Sequence, residues 1–438
     1  MSQSAQWIAA ARLLRRTGFG AVGSRIDALA GQDWSQFLDG VLGSDPDADP
    51  GARATPMPIL APHAAPSDRA SQADIDAYGQ LLYDEMSQLA GWWLRRMAAV
   101  QQPIHEKLTL VWHDHFATSA DKVSMGAWMA AQNQKLRTLK LGDFSDLAYA
   151  MLVDAAMLVW LDGESNTAKA PNENLSREFM ELFTLGHANG YSEADVKEGA
   201  RALSGWKIDM SNGSTRQVDD LHDPGAKTVL GLTDTLDAAD FCKVVLAQPQ
   251  SAAFVATRLW RRLASDSEPP PETLGRLVAA YGPNRDLKAL TKAVLMDPAF
   301  TDRATTLVTT PVEWMIGAFR SLGVPLDRAD LIREVGVALS TLGQLPFYPP
   351  DVGGWPRGRA WLSTGSSSVR VWATTKLAEI ADLSTVEHAA TNDRIDAVGY
   401  MIGVGAWSDS TARVLKPLSG NPQHLVAAAI NTPEYLTS

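Results

Sequence analysis

Apolar residues recurring every three to four positions run through most of this chain, and that period restricts it to helices packed on helices. "DAYGQLLYDEMSQLAGWWLRRMAAV" (residues 76–100) is long and amphipathic, and "HEKLTLVWHDHF" follows it across Pro103, a helix breaker. "GAWMAAQNQKLRTLKLG" and "DFSDLAYAMLVDAAMLVWL" read the same way. The second is apolar nearly all round, which predicts a central buried helix. "SEADVKEGARALSGW" opens with Ser192 as N-cap and Asp195 three residues on, a capping box with an acid in place of the usual Glu. "SAAFVATRLWRRLAS", "PETLGRLVAAYG", "RDLKALTKAVLMDPAF", "TPVEWMIGAFRSLG", "SSSVRVWATTKLAEIADL" and "PQHLVAAAINTPEYL" continue the series. The expected fold is all-α: a single large multi-helix domain over residues 1–438, with a small β-hairpin and long irregular loops.

Three stretches break the period. Residues 44–70, rich in Ala, Pro and Asp, read as a loop. Residues 206–231 suggest a hairpin, with short alternating runs around "SNGS". Residues 343–370, "GQLPFYPPDVGGWPRGRAWLSTGSSSVR", form a long irregular stretch of the kind that is often functional.

Composition narrows the partners. Apolar residues are 45% and charged residues 20% of the 438, as in soluble globular chains, and the formal net charge is −11. A nucleic-acid or anionic-membrane binder would usually be basic, so neither partner is expected. No stretch approaches ~18 uninterrupted apolar residues, so no membrane span is expected. Arg15 and Arg16 are not followed by an apolar run, so no export signal is read, and a cytoplasmic location is the expectation for the chain as written. The single Cys242 excludes an intrachain disulfide and a Cys-rich zinc site, and its apolar helical context predicts a small buried hydrophobe.

The polar motifs then carry the functional reading. In "NENLSREFMELFTLG" (172–186), counting about 100° per residue from Glu173 puts Arg177 near ~40°, Glu181 near ~80°, Asn174 near ~100° and Glu178 near ~140°. The polar groups form one stripe. It is either the wet face of an amphipathic helix, with Glu173 and Arg177 as a plain i,i+4 pair, or the wall of a cleft. In a cleft, Glu178 and Glu181 would present two carboxylates for a divalent cation or for acid and base roles. "WHDHF" offers His113 and His115, which share a face if the backbone is extended and diverge by ~200° in a helix. "DLHDPGAK" puts His222, Asp223 and Lys227 on a turn-rich loop that can carry catalytic groups or simply turn the chain. "FYPPDVGGWPRGRAWL" supplies Trp355 and Trp361, which either stack on a ligand or pack the loop. There is no H-E-x-x-H zinc motif, no Walker loop, no dinucleotide fingerprint after a strand, no nucleophile elbow and no haem-attachment motif.

Together, "LLRRTGFGA", "WHDHFATS", "NENLSREFMELFTLG", "GYSEADVKEGARALSGW", "HDPGAKTVLG", "FVATRLWRRLASD", "TPVEWMIGAFRSLG" and "PFYPPDVGGWPRGRAWL" resemble a bacterial family filed as domain of unknown function 1800. The resemblance implies that the polar motifs belong to one constellation: His115, Asn172, Glu173, Asn174, Arg177, Glu178, His222, Asp223, Lys227, Trp355 and Trp361. Because members are often exported and encoded near sulfatase-like proteins, it also implies extracellular polymer chemistry. The chain departs from the pattern at Arg12 and Phe183, where members commonly carry His, and that weakens a metal site built on those histidines.

The expectation is therefore an enzyme for hydrolysis or group transfer on a polar, saccharide-like or anionic substrate, small or polymeric. Glu178, His222, His115 and Asp223 are the catalytic candidates. Arg177, Lys227, Asn172, Asn174, Trp355 and Trp361 are the binding candidates, and His113, His115, Glu178 and Glu181 would hold a divalent metal. The alternative is a non-catalytic binding or scaffold protein whose polar motifs form a structural network.

Overall fold

A computed structural model describes residues 3–302 and 305–437. Among them are 24 α-helices and two antiparallel two-stranded sheets, so the fold is all-α. The hairpin expected at 206–231 is two hairpins. Trp206–Ile208 pairs with Thr215–Gln217 around the "SNGS" turn, and Lys227–Val229 pairs with Leu232–Asp234. Gly213 takes φ +73° in the first turn, which is why that turn carries a glycine.

The central helix is Ile104–His115, in which all 12 residues are buried. It feeds two apolar cores, with Leu108, Val111 and Trp112 in one and Leu110 in the other. Because seven of its residues are polar or charged (His105, Glu106, Lys107, Thr109, His113, Asp114 and His115), it can be central only if those groups find partners. Glu106 shows how. Its carboxylate accepts from Arg96 Nε at 2.7 Å, from Arg137 Nη1 and Nη2 at 2.6 Å each, and from Trp93 Nε1 at 2.9 Å. Burial pushes this carboxyl up, but the two guanidiniums outweigh it and hold the group down at about 2.

The apolar run at 144–161 is not the single central helix its composition suggested. It breaks into Phe144–Leu152 and Ala155–Trp160 at Asp154, whose side chain caps the second helix by accepting from Met157 N–H at 3.2 Å. One capping carboxylate, also held by Gln132 and Lys135, outweighs the apolar pattern. The 44–70 segment is tied to the 28-residue helix Gln72–Ala99: Trp92 Nε1 donates to the Thr55 carbonyl at 2.9 Å, and His63 pairs with Glu85 at 2.7 Å. The irregular stretch at 343–370 ends at Ser363, the N-cap of helix Thr364–Ile380. Ser192 and Asp195 form the expected capping box, and Cys242 is buried, its thiol pushed up to about 12 by desolvation. No helix among the described residues is long and apolar enough to cross a membrane.

Candidate functional site

The 172–186 stretch is helical, but α-helix Asn174–Glu178 passes into a π-helix, Phe179–Thr184. The 100° count therefore fails beyond Glu178. Arg177 donates to Glu173 at 3.0 Å and to both oxygens of Glu193 at 2.7 Å, so its charge is committed to the surface. Asn172 Oδ1 accepts from Asn174 N–H at 2.9 Å, a local turn contact at the helix start. Glu181 accepts from Tyr191 Oη at 3.2 Å and pairs with exposed His187. Half-buried Glu178 is raised by burial and by Glu181.

The histidines lie on the central helix and turn apart. His113 Nε2 accepts from Phe347 N–H at 3.0 Å, with its ring among Trp93, Phe347 and Trp355. This bond holds Phe347 at φ +73°, a left-handed conformation that costs a bulky residue about 1–3 kcal/mol. His115 Nε2 donates to the Phe183 carbonyl at 2.9 Å, in the π-helix, and its ring packs on Phe116, Phe144, Phe183 and Phe254. Desolvation lowers His113 to about 3 and His115 well below its ordinary value. Both are neutral braces for irregular backbone. The metal set His113, His115, Glu178 and Glu181 is not assembled: among the described residues, no group of three or more His, Cys, Asp or Glu could hold an ion.

The 222–227 loop closes on itself. Asp223 accepts from Arg201 Nε at 2.7 Å and from Gly225 N–H at 2.8 Å. Lys227, buried, donates to the Asp223 carbonyl at 2.6 Å, and His222 Nδ1 lies 3.0 Å from the Ser204 carbonyl. Arg201 also grips Glu198 at 2.8 Å. Mutual satisfaction of this kind is the structural-network arrangement. Trp355 and Trp361 are 2% and 3% exposed and pack with Val308, so they offer no face on which a sugar could stack.

A different set of side chains does converge. Helix Ala5–Arg16 ends in Arg15 and Arg16, and helix Pro249–Leu263 ends near Arg261 and Arg262. Both pairs suit the negative end of their helix dipole. The two ends meet beside Lys107 and Asp114 of the central helix, Glu313 of helix Pro311–Ser321, Asp266 and Arg357. Adjoining hollows of about 30 and 20 Å³ share Lys107, Leu307 and Glu313. At ~10–15 Å³ per water-sized atom, the larger admits about two such atoms. Arg357 arrives on the "DVGGWPRG" loop. That loop can dock only because position 354 is glycine: φ is +86°, and a Cβ there would lie 2.5 Å from the Asp114 carbonyl oxygen. Trp355 N–H then donates to Asp114 Oδ1 at 2.8 Å.

The electrostatics of this cleft are lopsided. Lys107 pairs with Glu313, Arg262 with Asp114, and Arg261 with the outer Glu268 at 2.9 Å; Arg16 donates to the Ala264 carbonyl at 2.7 Å. Asp266 accepts from Val308 N–H at 2.8 Å and is raised by burial. The linings hold six basic residues (Arg15, Arg16, Lys107, Arg261, Arg262 and Arg357) against three acids (Asp114, Asp266 and Glu313). Beside them Arg258 lies over the Phe254 ring. Neither Arg258 nor Arg357 has a hydrogen bond or ion pair among the described residues. Desolvation first, then like charge between neighbours, lowers both, Arg258 to about 10. Arg262 is lowered to about 9 by the same causes. None of the cleft residues is among the sequence-based site candidates. The available signal was two Arg-Arg pairs, each closing an apolar helix, where adjacent arginines ~100° apart cannot both face solvent if the helix end is covered.

The fold and this cleft define an all-α protein with a buried arginine-rich hollow at the meeting of helix ends. A family model described as "Protein of unknown function (DUF1800)" matches residues 12–437, and the chain belongs to that family. Comparisons with curated proteins and with solved structures gave no match.

Proposed function

We propose that the protein recognises a small oxyanion (phosphate, sulfate or carboxylate, free or as the head of a larger substrate) in the arginine cleft. The observation that carries this reading is Arg357, a part-buried cleft guanidinium with no hydrogen bond or ion pair among the described residues, with part-buried and equally unpaired Arg258 beside it. Of the nearby acids, Glu268 and Asp266 act on Arg357 only at a distance, while Arg357 lowers Arg258. Buried charges are normally paired, so adjacent guanidiniums without ion pairs favour an anionic ligand. Guanidiniums suit the task because they grip such anions through two parallel N–H bonds. Hydrolysis or group transfer on the anionic substrate is the chemistry that fits: the arginines would stabilise charge in the transition state, and Asp266, its carboxyl raised by burial, would hold a proton at the cleft edge. The small hollow favours an anionic head over a whole sugar ring. A second reading, binding without catalysis, is favoured by the pairing of Asp114 and Glu313, which leaves Asp266 as the one cleft carboxylate without an ion-pair partner among the described residues.

Isothermal titration of the full chain with phosphate and sulfate in chloride buffer tests the proposal. Saturable one-to-one binding that Arg357→Met weakens at least tenfold is expected. Absence of binding by either anion, or binding indifferent to Arg357→Met, overturns it. Turnover of p-nitrophenyl phosphate or sulfate would then separate catalysis from binding.

A further inference from the structure

On the far side of the 17–22 loop from the cleft lies a much larger hollow of about 930 Å³. Gly20 borders both. Its walls come from several helix ends. Phe19, Phe37, Val41, Ile104, Phe319 and Leu326 make them mainly apolar. This volume is typical of small-molecule sites, and so is an apolar lining with a few placed polar groups.

The charged groups here are mainly cationic: Arg25, Arg95 and Arg320, against one lining carboxylate, Asp327. Two of the three are committed to neutral backbone oxygens. Arg320 Nη1 donates to the carbonyls of Met97, Ala98 and Val100 at 3.2, 2.9 and 2.7 Å, closing the C-terminus of helix Gln72–Ala99. Arg25 Nη2 donates to the Gln101 carbonyl at 2.9 Å. Carbonyls satisfy the donors without neutralising the charges; the pull of Asp49 on both is outweighed by burial, and Arg25 adds to the burial that lowers Arg320. Asp49, the acid that acts on both, also accepts from Gln101 and Gln102 N–H at 2.9 Å each and from Gly51 N–H at 2.8 Å. Arg95 has no hydrogen bond or ion pair among the described residues, and its Nε is shut off from solvent.

We infer that this hollow binds a single-chain amphiphile with an anionic head. The apolar walls would take the chain, and Arg95, with Arg25 and Arg320 beside it, would take the head. Charge complementarity selects the head: a neutral alcohol would leave Arg95 without a counter-charge beside two further cations that share one acid, Asp49. The site is separate from the arginine cleft and does not depend on it.

Titrations of the full chain with dodecanoate, dodecyl phosphate and dodecanol, each below its critical micelle concentration, test this. Expected is saturable one-to-one binding of at least one anionic amphiphile, at least tenfold tighter than dodecanol, with acetate and inorganic phosphate failing to compete. Arg95→Met should erase the preference for the charged head while leaving dodecanol binding in place. Ala99→Trp, which fills an exposed position on the groove wall, should remove all three, with far-UV circular dichroism unchanged for both variants. Equal binding of dodecanol and the anionic amphiphiles, non-saturable uptake, or an Arg95→Met variant with wild-type preference would overturn the inference. Because competition by inorganic phosphate reports the cleft and not the groove, failure here is distinguishable from failure of the anion site.

Discussion

Replacing Arg258 with Met should make the anion-free protein more stable, the opposite of what removing a buried arginine usually does. Burial, Arg357 and Arg261 hold this guanidinium at about 10, two to three units below its ordinary value. At ~1.36 kcal/mol per pKa unit, that corresponds to about 3 kcal/mol against the charged form. The sign follows from linkage. A base with a depressed folded pKa is charged in both states at neutral pH, so the folded state carries the whole penalty there and sheds it only as pH rises past about 10. Methionine keeps the apolar stem and removes the charge, at the loss of the contact over the Phe254 ring, worth about 0.5–1 kcal/mol. Partial exposure trims the gain further, which leaves about 1–2 kcal/mol of net stabilisation. Urea unfolding in chloride buffer reads this directly. The same titration with phosphate a hundredfold above its Kd should stabilise the wild type by about 2.7 kcal/mol and the variant by well under half of that. If Arg258→Met is less stable than wild type without phosphate, and gains as much from phosphate, the unpaired charge is not a binding device and the reasoning fails.

Other substitutions separate frame from site. Glu106→Gln leaves Arg137 buried without its anion and Arg96 with only the exposed Asp47, and should cost about 3–5 kcal/mol. Since the folded carboxyl is depressed to about 2, its contribution is present above about 4.5 and fades as pH falls toward 2, so denaturation against pH should show an acid limb in the wild type that the variant lacks. Arg177→Ala removes only partly exposed pairs and should change stability by less than about 1 kcal/mol, with phosphate binding unaltered; a tenfold loss of binding would restore the 172–181 helix as a site. Gly354→Ala drives a Cβ toward the Asp114 carbonyl at positive φ, and should both cost about 1–3 kcal/mol in thermal unfolding and weaken phosphate in titration, because the loop carrying Arg357 is displaced.

The helices were legible in the sequence because period and caps agree, as at Ser192 and Asp195 or across Pro103. The errors came where a local group overrode the period. Asp154 cut an apolar run in two, and the π-turn at Phe179–Thr184 broke the angular count that had aligned Glu178 with Glu181. The centrality of Ile104–His115 was hidden for a related reason: its polar residues mimic a wet face, while their partners, Arg96, Arg137, Glu313 and Arg262, lie on other helices. The same blindness to distant partners hid how the candidate residues are held. Arg177, Asp223 and Lys227 looked available because Glu193, Arg201 and the turn carbonyl that occupy them could not be paired with them by spacing. Nothing in the sequence joins the two arginine pairs to one cleft, because the loop that carries Arg357 lies some ninety residues downstream of one pair and farther still from the other.

The most direct test of the anion site is anomalous diffraction from crystals of the full chain soaked in selenate. The account predicts a selenium peak between Arg262, Arg357 and Lys107, in contact with at least two of their side chains. Peaks confined to the surface arginines, such as Arg177 and Arg201, with the cleft empty at the same soak, would contradict it.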